Sequence, residues 1–423
     1  MPSAAPPLLR IAIIGGGPGG LGAAIALSAL PNVEVIVYEQ ARELREIGAG
    51  IQIGFNCWKV LELLGAADKV NGHSTTEVIH LNGVTGEVLK STGKQKPLER
   101  YQPQRVRRTR LQAALKSVVP EGIIKLNMRL SSLEILDVGV KLTFDDGTET
   151  FADLVVGGDG IRSVVREHIF PDHKIQFTGT TIFRVLVPAS SVSHIAGIHG
   201  VNTWWHGPSG HFYGSPVDSP EDTSKEEQKF EIAARSVVDP ITAIGKRFSW
   251  GVPATKERVE AFFTEYDPKV RETLSKVPEG QWKEFSAFAG PRLETLTGWD
   301  GKVVLIGDAS HPLSGAFGSG AAFALQDGWI LARAIEHTRS SGGLPAALSI
   351  FDSIRSPYYL RMYEHLDQQK QKIQALKAAN PNQTLEDNLK ARVASFGGEN
   401  QLSWIYGNDI EEVWNTYIAT ESA

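Results

Sequence analysis

Apolar residues in this chain fall into three patterns, and each predicts a different element. Short unbroken apolar runs read as strands buried on both faces: Ile11-Ala12-Ile13-Ile14, residues 33–38, Leu154-Val155-Val156 and Val303-Val304-Leu305-Ile306. Three of the four lead into glycine and then into helical sequence, expected over 21–30, from Arg162, and from Ala321 to about 336. Strand, glycine turn and helix in repetition predict an α/β unit around a parallel sheet. Alternating stretches mark strands with one wet face. Residues 128–136 and 140–144 make such a hairpin, Asp145-Asp146-Gly147 turns into a third strand, and 75–89 is β-like with turns at Gly83 and Gly86. The longest alternating region, 175 to about 250, is cut by glycine and proline and carries Trp204, Trp205, Phe212, Tyr213 and Trp250. It predicts a separate, mostly antiparallel sheet. Within it, 218–227 is charged and reads as an exposed loop. Helical spacing covers 57–64 ahead of Gly65, a helix ending near 118, then 256–265, 270–276 and 346–378. Residues 379–423 are assigned no element, though Trp404, Ile405, Tyr406 and Trp414 are expected to pack.

The turns carry the chemistry. Gly15-x-Gly17-x-x-Gly20 follows the first strand: Gly15 permits the tight turn, Gly17 lets backbone approach a pyrophosphate, and Gly20 lets helix and strand pack closely. A helix N-terminus there offers unpaired N–H groups to phosphates. Glu39, at the end of the second strand, stands where a carboxylate takes ribose hydroxyls. Further on, Gly48 and Gly50 suggest backbone running close to a ligand, and Arg45 is placed to meet a phosphate or a nearby carboxylate. Arg105, Arg107, Arg108 and Arg110 crowd the mouth of a helix. They form either a solvated basic face or the site of an anion, because cations at a helix N-terminus are otherwise unfavourable. A second glycine turn has Asp159, Arg162 and Arg166 around it. A third sets Asp308 at a strand end before a glycine-rich loop and a helix start at Gly320 and Ala321.

Composition narrows the classes. A chain of 423 residues suggests two or three lobes, and 42% hydrophobic residues suffice for sizeable cores. A net charge of −5 gives no general pull toward nucleic acid or membrane. Cys57 is the only cysteine, which excludes an intrachain disulfide and a thiolate metal cluster. With no signal-peptide pattern at the start and no apolar run approaching ~18 residues, a soluble cytoplasmic protein is the expectation.

The three motifs, in this order, resemble those of the single-component FAD-dependent aromatic hydroxylases (group A flavoprotein monooxygenases), especially the salicylate hydroxylase-like class and its fungal members. The likeness covers nearly the whole chain. It implies that Gly15, Gly17, Gly20 and Glu39 hold the ADP half of FAD. The family's middle motif is complete here as Asp159, Gly160, Ser163 and Arg166, and it implies contacts to FAD and NAD(P)H pyrophosphates. Gly307-Asp308-Ala309, with His311 and Pro312, matches the third motif and implies Asp308 at the ribityl chain. Arg108 ahead of Leu111 matches a flavin-contacting arginine. Gly318, Gly320 and Ala321, at the late helix start, would face the reduced flavin. The implied fold is that of p-hydroxybenzoate hydroxylase: a Rossmann-like FAD-binding domain from 1–75, 105–174 and 285–365, an inserted antiparallel-sheet substrate domain from 76–104 and 175–284, and C-terminal helices over 366–423. The implied reaction uses NADH or NADPH and O2 to hydroxylate a small phenolic or aromatic acid through a flavin C4a-hydroperoxide, with decarboxylation where a carboxylate sits on the attacked carbon. Oxidation of a larger secondary metabolite on the same fold, or a flavin-binding sensor without turnover, are the alternatives. A monomer or homodimer is expected.

Two residues are assigned to the substrate. Arg184, in a Phe-Arg pair like the family's, is the expected cation for a phenolate, with a surface or inter-lobe salt bridge as the alternative. Tyr213 stands two residues before Ser215-Pro216-Val217, where relatives often have Tyr-Pro-Val. Gly315 stands where many relatives have proline. His206 and His211 read as ordinary partly buried histidines, the Trp204-Trp205 pair as sheet core, and His311 as a hydrogen bonder that fixes its loop.

Overall fold

The computed structural model describes residues 8–44, 49–94, 100–243, 246, 248–380, 382–395 and 402–421. Its first sheet orders the strands Thr297–Gly298, Val303–Leu305, Leu154–Gly157, Leu9–Ile14, Val33–Tyr38 and Ile124–Lys125, all parallel except the first. The unbroken apolar runs are its central strands. Because they run in parallel, Ile14, Gly157 and Ile306 bring all three glycine turns to one edge, the carboxyl edge where such sheets bind ligands.

Helix Pro18–Ser28 follows the first turn and helix Gly320–Thr338 follows the third. They pack against each other at backbone distance. A Cβ added at Gly328 would stand 2.7 Å from the Ala23 backbone. The hairpin region forms its own antiparallel sheet, Leu130–Ile135, Val140–Phe144 and Glu149–Ala152, with Phe144 stacked 4.7 Å from Tyr38.

The largest sheet has eight strands: Trp250–Pro253, Lys283–Ala289, Gln176–Pro188, Lys229–Val237, Gly210–Pro216, Asn202–Gly207, Val78–Asn82 and Val88–Ser91. It is antiparallel throughout except where Asn202–Gly207 pairs in parallel with Val78–Asn82. Alternation sorts its two faces. Phe183, Val185, Trp205, Phe212, Ile232 and Ala234 point into a buried apolar cluster shared with Val259, Phe263, Val270 and Leu274 of the helical segment that follows. The other face carries Arg184, Glu231, Ala233, Arg235, Tyr213, His211, Trp204, His206 and His80. A small three-stranded sheet, Gly50–Ile53, Gln104–Arg107 and His73–Ser74, lies against that polar face through contacts of Gly50 and Arg105 with Glu231.

Helix Gly343–Ala379 contains Pro357. Helices Leu385–Ser395, Ser403–Tyr406 and Ile410–Glu421 follow, in the region to which no element was assigned from sequence. Ile405 and Ile410 are fully buried, and Trp404 and Trp414 pack on the main core. Tyr406 departs from expectation: the residue is 43% exposed, although its hydroxyl donates to Phe317 O at 3.1 Å. A second correction concerns 218–227. Asp218 in that loop is buried at 3% exposure because Arg107 and Arg110 both pair with it.

Because Gly328 and Ala23 hold the two turn-bearing helices together, Gly328→Val should destabilise the fold by about 1–3 kcal/mol through overpacking. Thermal melting of the variant checks this, and an unchanged melting temperature would show that the helices can separate freely.

Candidate active site

At the first turn the three glycines divide their work. A Cβ at Gly15 (φ +104°) would stand 2.5 Å from Gly158 O, and one at Gly20 would overlap Gly15 O, so both are demanded by packing. A Cβ at Gly17 would meet nothing within 4 Å, so this glycine borders open space. It caps a helix whose N-terminus has no side-chain cap. Glu39 stands beside this turn: its carboxylate accepts from Gly16 N at 2.7 Å and from Ala41 N at 2.8 Å.

The middle motif closes on itself. Asp159 accepts from Ser163 Oγ at 2.5 Å and from the N–H groups of Val164 and Val165 at 2.7 and 3.2 Å. This is why the helix starts at Val164 rather than at Arg162: Ser163 is its N-cap. Burial pushes the Asp159 carboxyl up despite these bonds. Arg166, buried, donates to Ile161 O (2.6 Å), Ala309 O (2.9 Å) and Asp308 O (3.3 Å), latching the second turn to the third. Arg162 instead lies over the Phe248 ring at 5.1 Å.

At the third turn the Asp308 carboxylate accepts no hydrogen bond from the described residues. Burial pushes its carboxyl up, against the pull of Arg108 and Arg166. Gly320 opens the late helix near Asp308 Oδ1, with Ala321 next in its first turn, and Gly318 (φ +66°) borders open space. Gly315 has φ +71°, a conformation closed to proline. Behind the turn is a network that the sequence did not announce. Asp327 accepts from Gly307 N (2.8 Å), Arg355 Nε (2.7 Å) and the Tyr359 hydroxyl (2.6 Å). A carboxylate within the mainly apolar stretch 321–332 was its one visible signal. His311 bonds Ser310 Oγ at 2.7 Å and stacks on Tyr359 at 3.9 Å, and burial holds its imidazole down to about 4.

The arginine run is answered largely by the protein's own carboxylates. Arg105 pairs with Glu231 at 2.5 Å, Arg107 with Asp218, and Arg110 with Asp218 at 3.2 Å. A solvated basic face is thereby excluded. Arg108 differs, since its charge reaches Asp308 and Arg184. Gly50 gives its N–H to Glu231 Oε1 at 2.9 Å, and a Cβ there would overlap that carboxylate. The close approach predicted at Gly50 is therefore to Glu231. Arg45 lies outside the described residues.

On the polar sheet face, the Arg184 Nε is buried without a hydrogen-bond partner. Burial brings its guanidinium down to about 10; Glu231 opposes this, while Arg108 and Arg105 add to it. Tyr213 lies 4.6 Å from Trp204 and 5.1 Å from the Arg105 guanidinium, and burial pushes its hydroxyl up. The tryptophan pair splits: Trp205 is core, whereas Trp204 joins the polar face with His80, His206 and His211. His80 Nδ1 and His206 Nε2 are 3.0 Å apart, and burial holds these imidazoles down to about 4 and about 3. Ser215 donates to Asn202 Oδ1 at 2.7 Å.

These residues fit an FAD. The helix N-termini at Gly17 and Ser319, neither capped by its own side chain, suit its pyrophosphate and ring edge, and the unshared acceptors of Asp308 suit a polyol. The profile of the family described as "FAD binding domain" matches residues 9–364. The chain belongs to that family. Among its relatives, the 6-hydroxynicotinate 3-monooxygenase of Bordetella bronchiseptica is 30% identical over 342 residues, 78% of this chain and 83% of that one. The 6-methylsalicylate 1-monooxygenase of Aspergillus terreus is 28% identical over 438 residues, 96% of this chain and 90% of that one. A solved salicylate hydroxylase substrate complex shares the fold, with a TM-score of 0.73 at 22% identity over 97% of this chain and 98% of that one. Among the described residues no helix is long and apolar enough to cross a membrane, and no cluster of His, Cys, Asp and Glu is placed to hold a metal.

Arg355→Met leaves the buried Asp327 charge uncompensated and should cost about 3–5 kcal/mol, most of it recovered in Asp327→Asn/Arg355→Met. Urea denaturation of both variants checks this, and equal losses in both would refute it. The depressed imidazoles fix a pH dependence as well. The unfolded chain takes up protons near 6.5, whereas His80, His206 and His311 stay neutral in the fold down to about 4 or below. Their contribution to stability is complete above about pH 6.5 and is lost as pH falls toward 4. The urea midpoint should therefore drop over that window, and a flat midpoint would mean that these rings are charged in the fold.

Proposed function

We propose that the protein is an FAD-dependent monooxygenase that draws on NADH or NADPH and O2 to hydroxylate a small phenolic or aromatic acid. Within the family we assign it to the salicylate hydroxylase-like enzymes of fungal type, a reading supported by the Aspergillus relative. One observation carries the substrate class: Arg184, half-buried on the polar sheet face, has a guanidinium whose Nε is buried without a hydrogen-bond partner. Such a cation lowers the pKa of a phenol beside it and holds the phenolate, whose ring is the electron-rich form.

Bound FAD supplies the redox chemistry with O2 and the reduced nicotinamide; the chain's residues bind and orient. In this reading Gly15, Gly17, Gly20 and Glu39 hold the adenosine diphosphate end, Asp308 takes ribityl hydroxyls, and Arg108 sits beside it. The helix start at Gly320 and Ala321, reached through the open turn at Gly318, would offer its N-terminal dipole to the flavin's anionic edge. Asp159 acts through the helix it caps, and Arg166 through the turn it latches. Tyr213 and Trp204 supply an aromatic wall, and the apolar second face of the sheet keeps water out. Residues 76–104 and 175–284 are then the substrate-binding part, and 1–75, 105–174 and 285–365 the flavin-binding part.

The test is NADH and NADPH oxidation by the FAD-loaded protein across salicylate, hydroxybenzoates and simple phenols, with product masses measured. A compound that accelerates oxidation and gains one oxygen atom supports the reading, and silence across the panel refutes it. Arg184→Ala should lower kcat/KM by about 10²–10³ with FAD content unchanged, and the phenolate absorbance of bound substrate should disappear.

A further inference from the structure

The loop that joins the third glycine turn to helix Gly320–Thr338 is strained. Ser314 has φ +56°, a left-handed conformation that a side chain makes costly, and Gly315 and Gly318 follow at +71° and +66°. A Cβ at either glycine would meet nothing within 4 Å, and Gly315, Ala316 and Gly318 are exposed. The loop's own bonds are short in range: Leu313 N to His311 O at 2.7 Å, Ala316 N to Leu313 O at 3.1 Å, and Gly318 N to Gly315 O at 3.1 Å. Bonds of this kind close turns but do not fix where the loop lies. Its glycines leave the backbone several conformations, and strained backbone persists only where its surroundings over-determine it.

Those surroundings come from the far end of the chain. The Phe317 side chain is buried, its ring 6.1 Å from that of His365 in helix Gly343–Ala379. Among the described residues, one hydrogen bond reaches the backbone of 313–318 from elsewhere in the chain: the Tyr406 hydroxyl donates to Phe317 O at 3.1 Å. Tyr406 ends the short helix Ser403–Tyr406, beyond residue 364, where the match to the family profile stops. The turn that carries it is itself anchored. Asn56 Nδ2 donates to Ile405 O at 3.0 Å, Asn408 Nδ2 donates to Gln326 Oε1 at 3.3 Å, and Lys59 pairs with Asp409 at 3.0 Å. Ile405 is fully buried, and the Arg361 guanidinium lies 4.1 Å over the Trp404 ring. Asn56 and Lys59 belong to helix Phe55–Leu63, and Gln326 belongs to the late helix itself. The Tyr406 hydroxyl is therefore fixed to the body that carries the glycine turns and does not travel with the loop.

We infer that the turn 404–409 is a clasp that fixes this loop from outside, and that Tyr406 is a positioning residue for the reacting edge of the flavin. The inference rests on the hydroxylase reading, in which the loop and the start of helix Gly320–Thr338 border the flavin ring. A proline at position 315 would restrict the loop through its own ring. Here a hydrogen bond from the C-terminal turn does that work. A loop that wanders admits water to the ring, and O2 then takes up two electrons and two protons and leaves as H2O2 without passing oxygen to the substrate.

Tyr406→Phe removes only the hydroxyl, from a residue that is 43% exposed, so the fold is retained. Hydrogen exchange of the full chain, with and without FAD, should become about two- to tenfold faster in peptides covering 313–319, with the turns at 15–20 and 157–160 unchanged. Asp409→Asn, which weakens the clasp's own anchor, should quicken the same peptides. In FAD-loaded Tyr406→Phe, FAD content and melting temperature should match the parent while the visible absorption bands of the bound flavin shift. With substrate present, a larger share of the oxidised NADH or NADPH should be recovered as H2O2. Unchanged exchange at 313–319 in either variant, exchange raised equally throughout the chain, or a loosened loop with an unaltered flavin spectrum would each overturn the clasp. Failure of the hydroxylase reading is seen separately: the loop loosens and the flavin spectrum shifts, but no compound of the panel gains an oxygen atom.

Discussion

Glu231 is the contact on which the site's shape depends. It projects from the eight-stranded sheet and takes the Gly50 N–H and the Arg105 guanidinium, both from the small sheet that continues into the arginine-bearing helix. Burial works against its charge, but Arg105 and Arg184 outweigh burial and keep it ionised. One carboxylate therefore joins the body with the glycine turns to the body with the substrate face. It also sets the field at Arg184, because its charge is shared with Arg105. Arg184 is left near a carboxylate that is already engaged, which is the condition for a cation to accept an outside anion.

Charge is distributed with the same logic across the rest of the pocket. Arg166 donates through its terminal nitrogens to three backbone carbonyls, and Arg355 pairs with Asp327. Both are buried fasteners behind the turns, where a loose charge would cost the fold several kcal/mol. The histidines on the sheet face are neutral and packed with Trp204, so they add aromatic surface there without competing for an anion.

Much of this was legible in the sequence because it rests on local rules. Unbroken apolar runs gave the parallel strands, alternation gave the large sheet, and the spacing of Gly15, Gly17 and Gly20 gave the first turn. What stayed hidden depends on partners far away in the chain. Asp218 looked like part of a wet loop because its arginines lie more than a hundred positions earlier. Gly50 looked like a ligand contact because Glu231 is 181 residues away. Trp204 and Trp205 are neighbours in sequence, and only the strand register sends one to the core and the other to the site. The last helix was legible too, since Ile410, Val413, Trp414 and Tyr417 recur at helical spacing and pack on the main core.

The strand order also bears on how the chain is made. Val303–Leu305 must dock beside Leu154–Gly157, which pairs with Leu9–Ile14, so the third glycine turn joins the first across roughly 290 residues. At typical synthesis rates the ribosome takes roughly 15–60 s to span that distance. Through that interval the first turn and its helix lack Gly320–Thr338, the helix that covers them. The nascent protein thus carries an exposed apolar sheet edge until late in translation. Such long-range pairing predicts slow maturation, and a cofactor able to bind only after the last parallel strand has docked would hold the finished order in place.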